Sequence, residues 1–255
     1  MKLATYNIWN TDRGMPRREK YIIREIEAVS PDVVALQEVQ SEAQAERLAR
    51  AMGYPHCFFA AYPDDAEGLC ILSRYPFQET ACLYGDADAL FVLAEIEGKA
   101  IGILNLHLPW DSALMRQYQI VRINERLREY TADYQFILGD FNCSDNSEIH
   151  RYLLGDCTID GTEVKPCYFD LAAVWDEMAG RKPAATLNFR ENPRFTEAGN
   201  TIEVNQRFDR ILLRNPHPGE YPFLKSCRIF GTRVYENIGL AASDHYGVAA
   251  ELEMP

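Results

Sequence analysis

The stretch YQFILGDFN, residues 134–142, sets a short apolar strand directly before a group of polar side chains. The run FIL is typical of a strand buried on both faces, and the GDFN that follows predicts its end in a loop. Asp140 and Asn142 therefore stand at the carboxyl end of a buried strand. In open α/β sheets, binding and catalytic sites form at this edge.

Five further apolar segments carry the same types of polar residue. The segments and their polar residues are LATY with Asn7, VVALQ with Glu38, IGILNL with His107, QRFDRILL with Asp209, and YGVAAEL preceded by Asp244 and His245. Taken singly, an Asn or Asp after a strand is usually a turn former, Glu38 can cap a helix, and a lone histidine is commonly structural. That explanation would have to hold six times over. We therefore interpret the six segments as parts of one site.

The residue types of this expected site indicate a hard metal ion acting on phosphate. Carboxylates with Asn and His, without a cysteine cluster, suit Mg²⁺, with Mn²⁺ as a substitute. Such an ion neutralises the oxygens of a phosphodiester and leaves an Asp or His to activate water. Neither a GxxxxGK[ST] phosphate loop nor a GxSxG motif occurs, which argues against nucleotide-triphosphate motors and serine esterases.

Apolar periodicity and end signals predict helices that alternate with strands. Helices are expected at Pro16–Val29, from Ser41 to Met52 with Gln44 completing a capping box, at 113–130 after Ser112, and from Asp170 to about Met178. Strands are expected at 2–9, 32–37, 207–214, 227–235 and 246–252, with several more in 57–106 around a hairpin turn at 97–99. This order favours an α/β fold with mixed sheets. Without an internal repeat or linker, residues 1–255 are read as one domain.

Charge and composition limit the classes of partner. The chain has 26 basic and 38 acidic residues and a net charge of −12, which excludes a large basic field for coating nucleic acid but not local phosphodiester binding. No apolar run approaches the roughly 20 residues of a membrane span, and no secretory signal is evident. The seven cysteines form no CxxC pair, so we expect free, mostly buried thiols and a cytoplasmic protein. The basic residues Arg17, Arg18, Lys20 and Arg24 lie among acidic ones on the first helix and predict a solvated face.

The motifs TYNIW, LQEV, NLHL, GDFN, RFDRILL and SDHYG, in this order, resemble the endonuclease/exonuclease/phosphatase superfamily. The resemblance extends from Asn7 to His245. It implies two packed mixed β-sheets flanked by helices, a four-layer αββα sandwich. It also implies Mg²⁺-dependent hydrolysis of a phosphoester by in-line attack of water.

The resemblance assigns the metal side of the site to three residues. Glu38 matches the metal-ligating glutamate, and Asp244 matches an aspartate near the metal. Asn7 matches the asparagine that supports metal and phosphate.

Five further residues match the positions that act on water and phosphate. Asp140 matches the aspartate that orients or deprotonates the nucleophilic water, and Asn142 matches a phosphate-contacting asparagine. His245 matches the histidine that stabilises the pentacovalent phosphate, and Asp209 the aspartate that holds it. His107 matches a further phosphate-contacting histidine.

Within the superfamily, SPDVVALQEV, GDFNCSDNSEI and DLAAVWDEM are most similar to 5′-tyrosyl-DNA phosphodiesterases, which implies a DNA-end substrate and a role in DNA repair. The chain departs from that pattern at Ser144, where those enzymes have an arginine, and at Thr186-Leu187, where they have Thr-Trp. Phe208 and Trp110 are candidate walls for a base or a tyrosyl ring, because aromatic side chains stack bases without reading sequence. For Phe208, simple core packing is the alternative.

Two other interpretations remain open at this point. The first is a phosphatase or phosphodiesterase of inositol phosphates or phospholipid head groups, with which an acidic surface is compatible. The second is an inactive binding module, which we would expect to have lost Glu38, Asp140 or His245. None of these is lost. We expect no association with a membrane and no obligate protein partner.

Overall fold

The computed structural model describes residues 1–63, 66–199 and 201–255. Its strands are β1 (Lys2–Asn7), β2 (Val33–Val39), β3 (His56–Ala61), β4 (Gly68–Ser73), β5 (Phe77–Cys82), β6 (Ala89–Ile96), β7 (Lys99–His107), β8 (Tyr134–Asp140), β9 (Tyr168–Asp170), β10 (Asp209–Arg214), β11 (Phe223–Phe230), β12 (Val234–Tyr235), β13 (Leu240–Ala241) and β14 (Gly247–Glu253). Its helices are α1 (Arg17–Val29), α2 (Glu42–Met52), α3 (Ala113–Leu127), α4 (Glu148–Leu153), α5 (Leu171–Met178) and α6 (Pro193–Thr196).

Twelve of these strands form two mixed sheets of six. The first has the order β11-β14-β1-β2-β4-β3 and the second the order β5-β6-β7-β8-β10-β9, while β12 and β13 form a separate pair. The pairs β1–β2 and β7–β8 are parallel, and the other pairs of the two large sheets are antiparallel. The predicted mixed α/β sandwich is confirmed.

Three apolar layers hold the sandwich together. Leu3, Val33 and Ile71 of the first sheet face Ile103, Phe136 and Ile211 of the second in a core between the sheets. The opposite face of the first sheet packs against α1 and α2, and that of the second sheet against α3 and α4. Successive residues along a strand, such as Val33 and Val34, therefore enter different layers, as the period of two requires.

The predicted helix ends are largely confirmed. Ser41 Oγ accepts a hydrogen bond from the Gln44 amide at 3.2 Å, whereas the Gln44 side chain accepts from Gln40 N, one residue earlier than in a capping box. Ser112 caps α3 and Asp170 caps α5, each by accepting from backbone amides of the first turn. The third helix ends at Leu127 rather than 130.

Two predictions about the periphery are wrong. The expected strand 227–235 is divided: β11 already begins at Phe223 and ends at Phe230, and β12 follows after a turn at Gly231 with φ +77°. Arg18 does not lie on a solvated face but is fully buried. Its guanidinium donates to the carbonyls of Ile8, Trp9, Thr11, Arg13 and Ala242, and so holds the loop after β1. These carbonyls satisfy the hydrogen-bond donors of a guanidinium that is buried, although the position of Arg18 on the helix alone predicts exposure to water.

All seven cysteines carry free thiols, as predicted, but only Cys70, Cys143 and Cys227 are buried. Cys57 and Cys82 are exposed on β3 and β5, which are edge strands. No helix in the described part of the chain combines the length and apolar composition that a bilayer span requires.

A buried polar contact crosses the core between the sheets. Asn105 of β7 donates to the carbonyls of Leu36 and Cys70 in the first sheet, at 2.9 and 3.0 Å. Its own Oδ1 accepts from Gln37 Nε2 at 2.6 Å, and Gln37 in turn bonds to Thr5. These bonds fix the two sheets in register just behind the end at which the polar residues collect.

Replacing Asn105 with Leu keeps the branching of the side chain but removes three buried hydrogen bonds. At about 1 kcal/mol for each bond, we expect the free energy of unfolding to fall by about 3 kcal/mol. Urea denaturation of Asn105→Leu and of the exposed control Asn237→Leu measures this. An N105L protein as stable as the wild type would show that the contact does not hold the sheets together.

Candidate active site

The period of two along four strands directs the polar residues into one end of the space between the sheets. On β1, Asn7 continues the inward series of Leu3. On β7, His107 continues the series of Ile101 and Ile103, and β8 and β10 behave in the same way. Asp140 follows Phe136 and Leu138, and Asp209 precedes Ile211 and Leu213. The apolar core thus gives way to a polar centre at this end.

Glu38 reaches the centre by breaking that period. Val34 and Leu36 face the helices, so regular alternation would turn Glu38 to the same side. Instead its φ is +58°, and the pairing of β2 with β4 shifts register between Leu36 and Val39. A left-handed conformation costs a non-glycine residue about 1–2 kcal/mol. The left-handed backbone at Glu38 therefore lowers the stability of the fold slightly and turns this carboxylate into the space between the sheets.

The glycine before Asp140 is required by a close approach of two backbones. Gly139 has φ +144°, and a Cβ at this position would lie 2.0 Å from the carbonyl oxygen of Leu106. Any other residue would push β8 away from β7. This contact keeps Asp140 in register beside His107.

Asn7 bridges the two sheets at the centre. Its Nδ2 donates to Glu38 Oε1 at 2.8 Å within the first sheet and to Asp140 Oδ2 at 3.1 Å in the second. Its Oδ1 accepts from the backbone amide of Trp9. The other Glu38 oxygen accepts from Asn10 N at 2.7 Å. Both carboxylates are therefore held at a fixed separation by one amide.

Asp140 is buried yet favours its ionised form. Burial alone would raise the pKa of its carboxyl, but His245, His107 and the hydrogen bonds from Asn142 and Asn7 outweigh it, so the pKa is lowered. Its Oδ2 lies 3.6 Å from His245 Nδ1 and 3.7 Å from His107 Nε2. Asp140 is thus a carboxylate at neutral pH, able to accept a proton or a hydrogen bond from water.

His245 is the positive partner of these acids. Its Nδ1 lies 2.9 Å from Asp209 Oδ2. Burial would lower the pKa of the imidazole, but Asp209, Asp140 and Asp244 raise it well above its ordinary value. Nδ1–H is occupied by Asp209, so Nε2–H of the charged ring remains to donate to a ligand. Thr186, which sequence reasoning missed as a support, accepts from the Asp209 amide at 3.1 Å.

Asn142 and His107 flank the carboxylate of Asp140. Asn142 has φ +46°, its backbone amide donates to Asp140 Oδ1 at 2.9 Å, and its Nδ2 donates to the Leu108 carbonyl. One N–H of this side chain is left for a ligand. His107 is only partly buried. All the residues that the sequence predicted to act on water and phosphate are therefore brought together.

The donors that a cation would need are also present. Asp140, Asp209 and His245 place ligand atoms within 4.8 Å of one another, although His245 Nδ1 is already engaged by Asp209. Glu38 and Asp244 supply two further carboxylates. Burial raises the pKa of the Asp244 carboxyl to about 6, His245 opposes this and Glu38 adds to it. Within the described residues neither acid has an ion pair with lysine or arginine. This oxygen-rich donor set fits a hard divalent cation.

The three predicted substrate-binding residues lie at the margin. Trp110 is 79% exposed on the loop after His107, and this loop is fixed by Arg116, which donates to the Trp110 carbonyl. Phe208 is half-buried and belongs to none of the three apolar clusters. Ser144 is half-buried in the turn before α4. Among the described contacts, none joins these side chains to Asp140 or His245.

A buried ionic network that sequence reasoning missed supports the loop after Asp140. Arg210 is fully buried and donates to the Cys143 carbonyl and to Asp145 Oδ1, at 2.9 and 2.8 Å. Asp170 lies 3.2 Å from His150 Nε2, 3.6 Å from Arg210 and 3.8 Å from Arg207. The available signal was the presence of two arginines in the apolar strand RFDRILL. Charges in a buried strand need partners.

Comparison with known proteins gives a consistent family and fold. The profile of the Endonuclease/Exonuclease/phosphatase family matches residues 4–245. No curated protein matches. The fold is similar to TDP2 from D. rerio complexed with a single strand DNA product, with a TM-score of 0.77, 18% identity, and coverage of 100% of this chain and 99% of that one.

Two bacterial structures are similar as well. A functionally unknown conserved protein from Enterococcus faecalis V583 has a TM-score of 0.72 at 19% identity, with 100% of each chain covered. The endonuclease/exonuclease/phosphatase from Bacteroides vulgatus has a TM-score of 0.73 at 17% identity, covering 100% of this chain and 98% of that one. At these identities the likeness concerns the fold.

The network around Asp170 predicts sensitivity to acid. Burial would raise the pKa of Asp170, but His150, Arg207 and Arg210 lower it to about 2, against 3.8 ordinarily. A lowered folded-state pKa contributes stability above pH 4 that is lost as the pH falls towards 2. Asp170→Asn keeps the helix cap and removes the charge. We expect about 2 kcal/mol less stability at pH 7 and a flatter decline between pH 4 and 2.

Urea unfolding at pH 7, 4 and 2.5 measures the effect, with the exposed Asp156→Asn as the matched control. Equal acid sensitivity in Asp170→Asn and the wild type would rule out Asp170 as the titrating group.

Proposed function

The chain belongs to the endonuclease/exonuclease/phosphatase family, whose members are hydrolases acting on phosphoesters, and we propose that it cleaves a phosphodiester by in-line attack of water. The observation that carries this proposal is the pairing of opposite charges at the centre. A charged imidazole, His245, lies 3.6 Å from the carboxylate of Asp140 and 2.9 Å from that of Asp209. One group can accept a proton while the other stabilises negative charge on phosphate.

Asp140 is assigned to the attacking water. Its pKa is lowered, so it is ionised when a substrate arrives, and Asn7 and Asn142 fix both of its oxygens. A fixed carboxylate orients one O–H of the water and accepts its proton as the new P–O bond forms. The leaving oxygen departs on the opposite side of the phosphorus, as in-line geometry requires.

His245 is assigned to the phosphate oxygens. With Nδ1 held by Asp209, its Nε2–H donates to a non-bridging oxygen as negative charge accumulates there. Asn142 and His107 are placed beside Asp140 to contact further oxygens of the same phosphate. A ring that is already charged needs no reorganisation during the reaction.

Glu38 and Asp244 are assigned to a divalent cation, for which Mg²⁺ is proposed and Mn²⁺ is a substitute. Both supply oxygen ligands, and Asn7 orients Glu38. When bound, such an ion neutralises the substrate phosphate and stabilises the leaving oxygen. The fixed geometry of Glu38, including its left-handed backbone, is consistent with a ligand that must be aimed.

For the substrate we propose a DNA end, with a 5′-phosphotyrosyl adduct as the specific target. Support comes from the similarity in fold to TDP2, a 5′-tyrosyl-DNA phosphodiesterase. The strongly exposed Trp110, three residues after His107 in the chain, offers a surface for a base or a tyrosyl ring, and the half-buried Phe208 offers a second. Ser144 replaces the arginine of those enzymes, so the grip on the strand is weaker here. The presence of Glu38, Asp140 and His245 favours an enzyme over a binding module.

We further propose a cytoplasmic location and a single domain that acts without an obligate protein partner. The seven free thiols are consistent with a reducing compartment.

Removal of divalent metal should abolish hydrolysis, and Mg²⁺ or Mn²⁺ should restore it. Glu38→Gln keeps the shape of the side chain but loses the charge, so the Mg²⁺ concentration for half-maximal rate should rise at least about tenfold. Rates measured against Mg²⁺ after EDTA treatment test this, with the exposed Glu42→Gln as control. Full turnover by metal-stripped enzyme would contradict the mechanism.

A 5′-tyrosyl single-stranded oligonucleotide should be hydrolysed at least about tenfold faster than an internal bond of the same strand. Tyrosine has a pKa near 10, so its phenolate leaves without a strong general acid. Initial rates with Mg²⁺ on both bonds, an abasic duplex, inositol phosphates and sphingomyelin make the comparison.

Asp140→Asn serves as the background control in every arm of this panel, and its kcat should fall by a factor of about 10²–10³. Faster hydrolysis of inositol phosphate or sphingomyelin would transfer the assignment to the small-molecule and lipid phosphoesterases. Faster internal cleavage would make the protein a nuclease.

A further inference from the structure

A short segment outside the predicted site is anchored directly to it. Asn192, which is almost fully buried, donates through Nδ2 to the carbonyls of Ser243 and Asp244, at 2.9 and 3.1 Å. The Oδ1 atom of the same side chain accepts from the backbone amide of Arg194 at 3.1 Å. One buried amide thus fixes Arg194 relative to the acidic side of the centre.

The guanidinium of Arg194 is half-buried and has its donors unused. Its Cζ lies 5.7 Å from the centroid of the Trp9 ring and 6.0 Å from that of Phe195. Among the described residues it forms no hydrogen bond and no ion pair. By contrast, Arg190 of the same segment donates to the Thr201 and Glu203 carbonyls. Arg190 therefore ties the loop, whereas Arg194 is left free to bind a ligand.

Two hydrogen bonds hold the backbone of Trp9 at the edge of the site. Its backbone amide donates to Asn7 Oδ1, and its carbonyl accepts from the buried Arg18 at 2.7 Å. Its φ of +61° turns the chain at this point. An ion pair between Arg13 and Glu197 joins this loop to the segment that carries Arg194. Indole and guanidinium therefore form one preassembled surface.

The charge of Arg194 lies near the acidic side of the centre. Asn192, whose Oδ1 accepts from the Arg194 amide, also donates to the Asp244 carbonyl. Although the chain has a net charge of −12, the guanidinium of Arg194 has no ion pair among the described residues. Arginine on an aromatic ring keeps its edge N–H groups available for the bidentate contact that phosphate favours.

We propose that Arg194, stacked on Trp9, binds a second backbone phosphate of a nucleic-acid strand, next to the phosphate that is cleaved. This assignment rests on the proposed function and narrows it to polynucleotide substrates. Trp9 contributes the ring that orients the guanidinium. Because only one arginine is involved, the contact adds affinity without an extended basic groove.

The test is the binding of a fluorescein-labelled, 5′-phosphorylated single strand, followed by anisotropy between 50 and 200 mM salt. Arg194→Gln should weaken binding about tenfold and reduce the slope of log K against log salt by about 0.7, the value for one phosphate of a single strand. Arg194→Lys keeps the charge and should keep the slope. Arg50→Gln, an equal loss of charge on the outer helix α2, should change neither quantity.

Turnover distinguishes this subsite from the reaction centre. With an oligonucleotide substrate, Arg194→Gln should raise KM about tenfold and leave kcat within about twofold. With bis(p-nitrophenyl) phosphate, which has no second phosphate, kcat/KM should stay within about twofold of wild type.

Each failure has its own signature. Wild-type affinity and slope in Arg194→Gln would overturn the phosphate contact while leaving the proposed function intact, and an equal loss on both substrates would also overturn it. If the wild-type enzyme neither binds nor cleaves the oligonucleotide, the polynucleotide function itself fails, and this subsite with it.

Discussion

The hydrogen bonds of the Asn7 amide join the two halves of this molecule at the place where its polar residues meet. One nitrogen holds Glu38 of the first sheet and Asp140 of the second, at 2.8 and 3.1 Å. Two carboxylates can share this small space only if the sheets face each other in one register. The Asn105 contacts behind the site impose that register from inside the core. The site is therefore a property of how the sheets are packed together, not of either sheet alone.

Burial of so many ionisable groups is tolerable because their charges are balanced locally. Asp140 and Asp209 share the imidazolium of His245, whose pKa they raise in return. Next to Asp209 in the chain, Arg207 and Arg210 balance Asp170 of the neighbouring strand β9. The chain thus carries an arginine on either side of Asp209, and each of these charged groups meets an opposite charge. This is the arrangement in which buried ions are least costly.

Most of the architecture followed from local patterns. Alternation along β1, β7, β8 and β10 turns Asn7, His107, Asp140 and Asp209 into the space between the two sheets, and sequence reasoning had named all four from their positions beside apolar segments. The capped helices were equally predictable from the sequence, because a cap is a local interaction. What the pattern could not show was long-range compensation. Its position on the helix predicted a solvated Arg18, but backbone carbonyls from the loop after β1 and from Ala242 accept its hydrogen bonds in the interior. Glu38 reaches the site only because its backbone is left-handed, which a regular strand period does not predict.

The pairing of β1 with β14 has a consequence for when the protein becomes competent. Asn7 lies on the first strand and His245 lies two residues before the start of β14, and these two strands are neighbours in one sheet. Ribosomal synthesis delivers Asn7 first and His245 some 238 residues later, by difference of their positions. Until that segment emerges, β1 can pair only with β2, and Asp140 lacks the imidazole of His245. The centre is accordingly incomplete in the nascent chain, and completion of the sheet and assembly of the site coincide.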